Sequence, residues 1–147
     1  MRDNIIKAYN YLASDLTLLE DMNLTKDVDG ARVPLDPKTI DLSILKVRQN
    51  PRVSDKYPKL AIWSSNPLGV SINRELRVLV VDVYVPLALQ AQTGVAFQIS
   101  ERIQKLLNKK PIGTGLIPSP IRYDLSTIPG WYKASVPFIY HYINKLS

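Results

Sequence analysis

The sequence contains no cysteine and only one histidine among its 147 residues. The first absence excludes disulfides, thiolate metal sites and a cysteine nucleophile together. It leaves the compartment open, because a cysteine-free chain suits the cytosol and the outside of a cell equally. The histidine, His141, falls on the polar face of a predicted strand with no second imidazole or thiol to help it, so a structural or surface role is expected. No apolar run approaches the roughly 20 residues needed to span a bilayer. The N-terminus, Met1-Arg2-Asp3-Asn4, turns polar at once and lacks the apolar stretch of a signal peptide, so a soluble protein not exported by the usual route is expected. Gly-x-Ser-x-Gly is missing. Gly113-Thr114-Gly115 follows a predicted helix, precedes none and has no Gly-Lys-Ser/Thr after it, which makes it a flexible loop and not a phosphate cradle. There is no internal repeat and no low-complexity segment.

What is present is globular. Apolar residues make up 46% of the chain, well above the level at which chains stay disordered. The length suits one domain, residues 1–147, with a core of its own. Proline is abundant, at 11 residues. It clusters at Pro34, Pro37, Pro51, Pro58 and Pro67 and again at Pro111, Pro118, Pro120 and Pro129, marking long stiff loops. The net charge of +6 is uneven. Residues 1–30 carry three basic against six acidic groups, whereas residues 31–60 carry seven against three. A basic body with an acidic first element fits phosphate attraction, head-to-tail contact between unlike subunit surfaces, or ordinary solubility charge.

The periodicities predict an α+β fold: a mostly antiparallel sheet of about four strands, two main helices packed on one face, and long Pro-rich loops. Ile5, Tyr9, Leu12, Leu16 and Leu19 recur at helical spacing and predict one helix over about 4–21, with Asp3 as its N-cap. Residues 22–58 read as an extended arm with turn chemistry at Asp27-Val28-Asp29-Gly30 and Leu35-Asp36-Pro37. Within it, 39–47 is a short strand or a helical turn. Strands are predicted over 59–64 and 75–85, joined as a hairpin through 71–74. The face of Leu79, Val81, Val83 and Val85 must be buried, and the face of Val78, Val80, Asp82 and Tyr84 is expected to be half buried at best. Thr93 is the expected N-cap of a helix to about Asn108, with its apolar stripe at Val95, Ile99, Ile103, Leu106 and Leu107. A loop over 111–129, with a short strand near 121–123, leads to a last strand over 131–143. Pro137 cannot donate to a ladder, which predicts an edge or a bulge there.

Candidate chemistry is sparse. Asp82 among valines is either an acid, base or Mg²⁺ ligand with Glu75, Glu101 or Asp124 as a second carboxylate, or a group that meets solvent or an arginine such as Arg77 or Arg102. No motif spacing joins these acids, so neither catalysis nor a cofactor or metal is expected. Trp131, Tyr132, Tyr140 and Tyr142 near lysines suit base stacking. The tyrosines share the phase of Val136 and Phe138, however, which favours core packing, while Trp131 has the opposite phase beside a Pro-Gly turn and reads as a contact residue.

The order of motifs carries a resemblance. Tyr57-Pro58-Lys59-Leu60-Ala61-Ile62 is followed by Arg77-Val78-Leu79-Val80-Val81-Asp82-Val83-Tyr84-Val85-Pro86. Thr93-Gly94 and Ile99-Ser100-Glu101-Arg102-Ile103-Gln104-Lys105-Leu106-Leu107 come next, then Gly130-Trp131-Tyr132 entering an aromatic strand. From about Tyr57 to the C-terminus the chain resembles the small tail terminator proteins of long-tailed bacteriophages. Residues 22–56 have no counterpart in that pattern. The resemblance implies a non-enzymatic virion protein at the head-proximal end of the tail, assembled in the host cytoplasm. Its implied form is a homohexameric ring that caps the tail tube, stops its polymerisation and docks the head connector. The implied partners are other copies of itself, the tail tube protein and a head-closure protein, with DNA passing through the lumen and no membrane. Contacts are then expected in the basic arm at Arg32, Lys38, Arg48, Arg52 and Lys56, at Arg74, and at Asp82, Trp131 and Pro137. The alternatives are another neck or head-closure protein and, from a different class, a basic nucleic-acid-binding module.

Overall fold

Two long apolar segments determine the architecture. The computed structural model describes residues 2–52, 55–65, 69–70, 74–125 and 128–143. In chain order the elements are α1 (Arg2–Ala13), α2 (Leu16–Asp21), β1 (Thr25–Val28), β2 (Ala31–Pro34), α3 (Pro37–Ser43), β3 (Ile44–Leu45), β4 (Lys59–Ser64), β5 (Gly69–Val70), β6 (Arg74–Pro86), α4 (Leu87–Thr93), α5 (Val95–Leu107), β7 (Ile117–Pro118) and β8 (Trp131–Ile143). The β-branched run of β6 and the period-two aromatic run of β8 favour extended backbone. They pair antiparallel along their whole 13-residue lengths, from Arg74↔Ile143 to Pro86↔Trp131.

The fold is mixed α+β, with a six-stranded sheet in the order β3-β4-β6-β8-β7, to which β5 adds beside β6, and a separate β1–β2 hairpin. The expected count of four strands is therefore low. Three long strands are extended by two-residue strands at both ends. All named pairs are antiparallel except β3 with β4. One face carries Leu60, Ile62, Leu79, Val81, Val83, Val136 and Phe138, which share a core with Ala8, Leu12, Leu18 and Leu19 and with Ile99, Ile103 and Leu107 of α5. This is the face expected to be buried, and the helices lie on it.

Several expectations give way to local chemistry. The predicted first helix is two helices, because Asp15 ends one and caps the next. Its side chain accepts from the Leu18 N–H at 2.9 Å, a competition with the helix interior that short acidic side chains commonly win. Asp3 lies inside α1, in its first turn. Thr93 closes α4 and does not open α5. Its hydroxyl donates back to Leu89 O at 2.7 Å, and Gly94, at φ 63°, serves as the joint between the two helices. Segment 22–58 is more ordered than an extended arm, since it holds the hairpin, α3 and β3. Asp36 caps α3 with Pro37 at its first turn, a favourable start for a helix. The proposed hairpin link at Ser71, Ile72 and Asn73 lies outside the described residues.

The expected short strand at 121–123 is a single bridge, Arg122↔Ser135, and the true strand of that loop is β7. Pro137 is at neither an edge nor a bulge, because β8 lies between β6 and β7. Its carbonyl accepts from the Ser119 N–H at 3.0 Å, so its missing donor falls on the sparsely paired side of β8. Gly113 is fixed rather than loose. At φ 59° a Cβ there would come within 2.5 Å of His141 O, and the Thr114 N–H donates to that same oxygen at 3.0 Å.

Asp15 also receives Arg102 from α5, through Nη2 at 2.7 Å and Nε at 2.9 Å. These bonds hold its carboxyl below the usual value of 3.8, against some opposing burial. A depressed folded-state pKa gives stability that is present above the unfolded value and lost as pH falls through the folded one. Replacing Asp15 with Ala is expected to cost about 1–2 kcal/mol at neutral pH, the range for a lost N-cap. The deficit relative to the parent should shrink below pH 3.8. Urea unfolding at a series of pH values checks both, and a deficit that persists at low pH would contradict the assignment.

Candidate functional site

The second face of the sheet holds the main polar cluster. Period-two alternation places Ala61 and Trp63 of β4, Val80, Asp82 and Tyr84 of β6, and Trp131, Lys133, Ser135 and Pro137 of β8 on this face. It was expected to be half buried at best. In fact Asp82 is only 1% exposed and Tyr84 2% exposed. Ala61, Tyr84 and Trp131 form a second apolar cluster with Ile128 against them. Residues far along the chain supply the cover: Ile128 packs against this cluster, Arg48 lies 4.2 Å over the Trp63 ring, and Asn50 Oδ1 accepts from the Tyr84 hydroxyl at 3.3 Å.

Asp82 is the centre of this cluster. Its Oδ2 accepts from the Trp63 indole N–H at 2.8 Å, and its Oδ1 accepts from the Ser135 hydroxyl at 2.8 Å. Lys133 Nζ lies 3.8 Å from Oδ2. A buried carboxylate is tolerable only when its charge and lone pairs are met in this way. Tyr84 is pushed up to about 12, first by burial and then by the Asp82 carboxylate, with Arg48 opposing. The partners are therefore an indole, a hydroxyl and a lysine, and not the expected arginine. Arg77 pairs with Glu75 and stacks 4.2 Å over Tyr142, and Arg102 pairs with Asp15. A carboxylate so enclosed offers no approach to a substrate. It fastens three strands by their side chains. Among the described residues no group of three or more acids, histidines or cysteines is placed to hold a metal, and no helix is long and apolar enough to cross a membrane.

The other expected contact residues are dispersed. Arg32, on β2, reaches Glu20 at 3.7 Å and Asp27 at 3.6 Å, which ties the exposed hairpin to α2. Lys38 is exposed on α3. Arg48 joins the Asp82 cluster through Trp63. Arg52 and Lys56 are exposed; the Arg52 backbone N–H donates to the Asp55 carboxylate at 2.8 Å, and its carbonyl accepts from the Asp55 N–H at 3.0 Å. Arg74 opens β6, and its side chain lies outside the described residues. Trp131, expected as a contact residue, is 3% exposed and belongs to the second core. Its opposite phase was real, but that face is buried too. Pro137 is half-buried.

Sequence reasoning missed Trp63, Lys133 and Ser135 as partners of Asp82. The strand alternation was the available signal, since all lie on the same face once β6 is flanked by β4 and β8 in register. It also missed a groove of about 520 Å³ lined by Ile5, Ile6, Tyr9, Asn10, Lys46 and Val47. There the Tyr9 hydroxyl donates to Asp41, and Lys46 lies 4.0 Å over the Tyr9 ring. Burial, then the Asp41 hydrogen bond and charge, pushes Tyr9 up to about 12.

Compared with models of known protein families and with the sequences of curated proteins, the chain matches none. The Asp82 geometry has a direct consequence for stability. Asp82→Ala is expected to destabilise the fold by about 2–3 kcal/mol, because two partly buried donors lose their acceptor while Lys133 retains water. Asp82→Asn should cost about half as much, as its amide oxygen still accepts from one donor. Denaturant unfolding followed by tryptophan fluorescence reads both, and equal stability of Asp82→Ala and the parent would refute the central role of this carboxylate.

Proposed function

We propose that the protein is a structural component of a long-tailed bacteriophage, a tail terminator of one domain that closes the tail tube as a ring of identical copies. It works by assembly at the head-proximal end of the tail, stopping tube growth and offering a surface to the head-closure protein. The motif order supports this reading. Its pieces fall on β4, β6, the α4–α5 joint, α5 and the entry to β8, so the resemblance follows the scaffold and not its loops.

The observation that carries the reading is the pair of unlike sheet edges. β3 and β7 are each two residues long, and the sheet between them is otherwise built from long strands. The β3 side continues into the basic segment 46–59, and the β7 side into a proline-rich segment packed along β8. A ring requires one surface of each copy to meet a different surface of the next. Large apolar side chains are exposed as well, among them Leu42, Val47 and Leu87 outside the sheet and Ile117 on β7, and assembly would cover side chains of this kind.

The purified chain, alone or mixed with tail tubes, is expected to form a species of about 100 kDa, six times its 16.6 kDa. Mass photometry separates that species from monomer, and electron microscopy of the mixture should show closed tube ends. A chain that stays monomeric under both conditions refutes the proposal. Recovery on tail-less heads, with none on isolated tails, would favour a head-closure role. The exposed Arg52 and Lys56 favour a second reading from another class, a nucleic-acid-binding module. That reading predicts DNA binding that falls steeply with salt.

A further inference from the structure

Two groups of side chains, one beside the start of β8 and one on the segment joining β3 to β4, carry opposite charge, and their charged members form no ion pair among the described residues. The first is an aromatic patch on the helix face beside the start of β8. Phe97, 44% exposed on α5, makes edge contacts with Tyr123 at 5.0 Å and Tyr132 at 6.1 Å between ring centroids. Two carboxylates border it. Glu101 stands one turn along α5 from Phe97, and Tyr123 is raised first by burial and then by the Glu101 charge; Tyr132 is raised first by burial, with a hydrogen bond from the Asp124 backbone opposing and the Asp124 charge adding. Both acids are exposed, and neither has an ion pair among the described residues.

The second group lies on the segment joining β3 to β4. Arg52 and Lys56 are exposed, and neither forms an ion pair among the described residues. Tyr57 beside them is 60% exposed. The strand order β3-β4-β6-β8-β7 puts three inter-strand steps between β3 and β8, a separation on the order of 15 Å. The patch and the arm are therefore separate surfaces of one copy. Each copy presents one of each, which is the arrangement a head-to-tail contact requires. Exposed aromatic faces beside unpaired carboxylates suit guanidinium and ammonium groups through cation–π and charge attraction together. Tyrosine and arginine are also the residues that most often anchor interfaces.

We propose that successive copies of this chain join through a charge-matched contact, in which Arg52, Lys56 and Tyr57 of one copy seat on the Phe97–Tyr123–Tyr132 patch of the next, against its Glu101 and Asp124. This rests on the ring reading and assigns its interface.

The test uses the full chain and two variants. Glu101→Lys with Asp124→Asn reverses the patch, the asparagine being chosen because Asp124 has φ 56°, which asparagine tolerates. Arg52→Glu with Lys56→Glu reverses the arm. All four positions are exposed, and circular dichroism with thermal melting verifies folding. Each variant is expected to self-associate at least tenfold more weakly than the parent in sedimentation at low salt. An equimolar mixture of the two should regain assembly, since alternate joints then pair an intact arm with an intact patch and a negative arm with a positive patch. If the parent assembles and both variants assemble equally well, the contact is wrong and the ring reading survives. If parent and variants stay monomeric, alone and with tail tubes, both are wrong. If the arm variant loses affinity for a short DNA duplex while its assembly is unchanged, the arm is a nucleic-acid surface and the contact is overturned.

Discussion

The β6–β8 pairing is the constraint on which everything else depends. Thirteen residues of one strand lie opposite thirteen of the other without a bulge, so the parity of each residue number decides the face on which its side chain emerges. Odd positions of β6 and even positions of β8 lie beneath the helices. Even positions of β6 and odd positions of β8 set Val80, Asp82 and Tyr84 beside Ser135 and Pro137. Slipping the register by one residue would send Asp82 into the helix-side core and bring the apolar row out to meet the loops. The Asp82 bonds to β4 and β8 then act as a lock on that register, because only one alignment brings an indole and a hydroxyl to the same carboxylate.

Charged residues divide into two populations with different work. Asp15–Arg102, Glu75–Arg77 and Asp82–Lys133 are largely shielded; the first ties elements distant in sequence, the last ties neighbouring strands, and Glu75–Arg77 lies within β6. Pairs of this kind contribute specificity more reliably than stability. The cations of segment 46–59 mostly stay at the surface. Where they are used internally, Arg48 lies over Trp63 and Lys46 over Tyr9, while Lys59 donates to Leu42 O and pairs with Asp55. The net positive charge is thus concentrated where the chain is least constrained by its own core.

Much of the scaffold was legible from the residues, because period and punctuation act locally. β4, β6, α5 and β8 coincide with predicted segments to within a residue or two, and the helix-side face was read correctly. What was missed depended on competition or on partners far along the chain. Ser14-Asp15 broke the first helix because a capping carboxylate outweighed continued apolar spacing. The Asp36-Pro37 pair was read as a turn, though the same residues are a helix start once Thr39 follows. The second face could not be judged by hydrophobicity, since its cover comes from Asn50, Ile128 and other residues distant from the strands they bury. Trp131 was misjudged for the same reason: its phase was right, but nothing local indicates that both faces are covered.

Pro137 has a consequence for the life of the chain before and beyond its native state. Its lone carbonyl meets Ser119 on the β7 side of β8, and it has no hydrogen to offer there. β7 and the bridge at Arg122 cover that side only in short pieces. When this cover lifts, as thinly paired edges do most readily, a long aromatic strand is uncovered, of the type that templates stacking by foreign strands. The proline breaks the row of donors in the middle of it. A stranger could add a few hydrogen bonds at either end but could not run the length of the strand. The same residue thus lets β8 pair fully with β6 and protects the folding chain against aggregation through its other side.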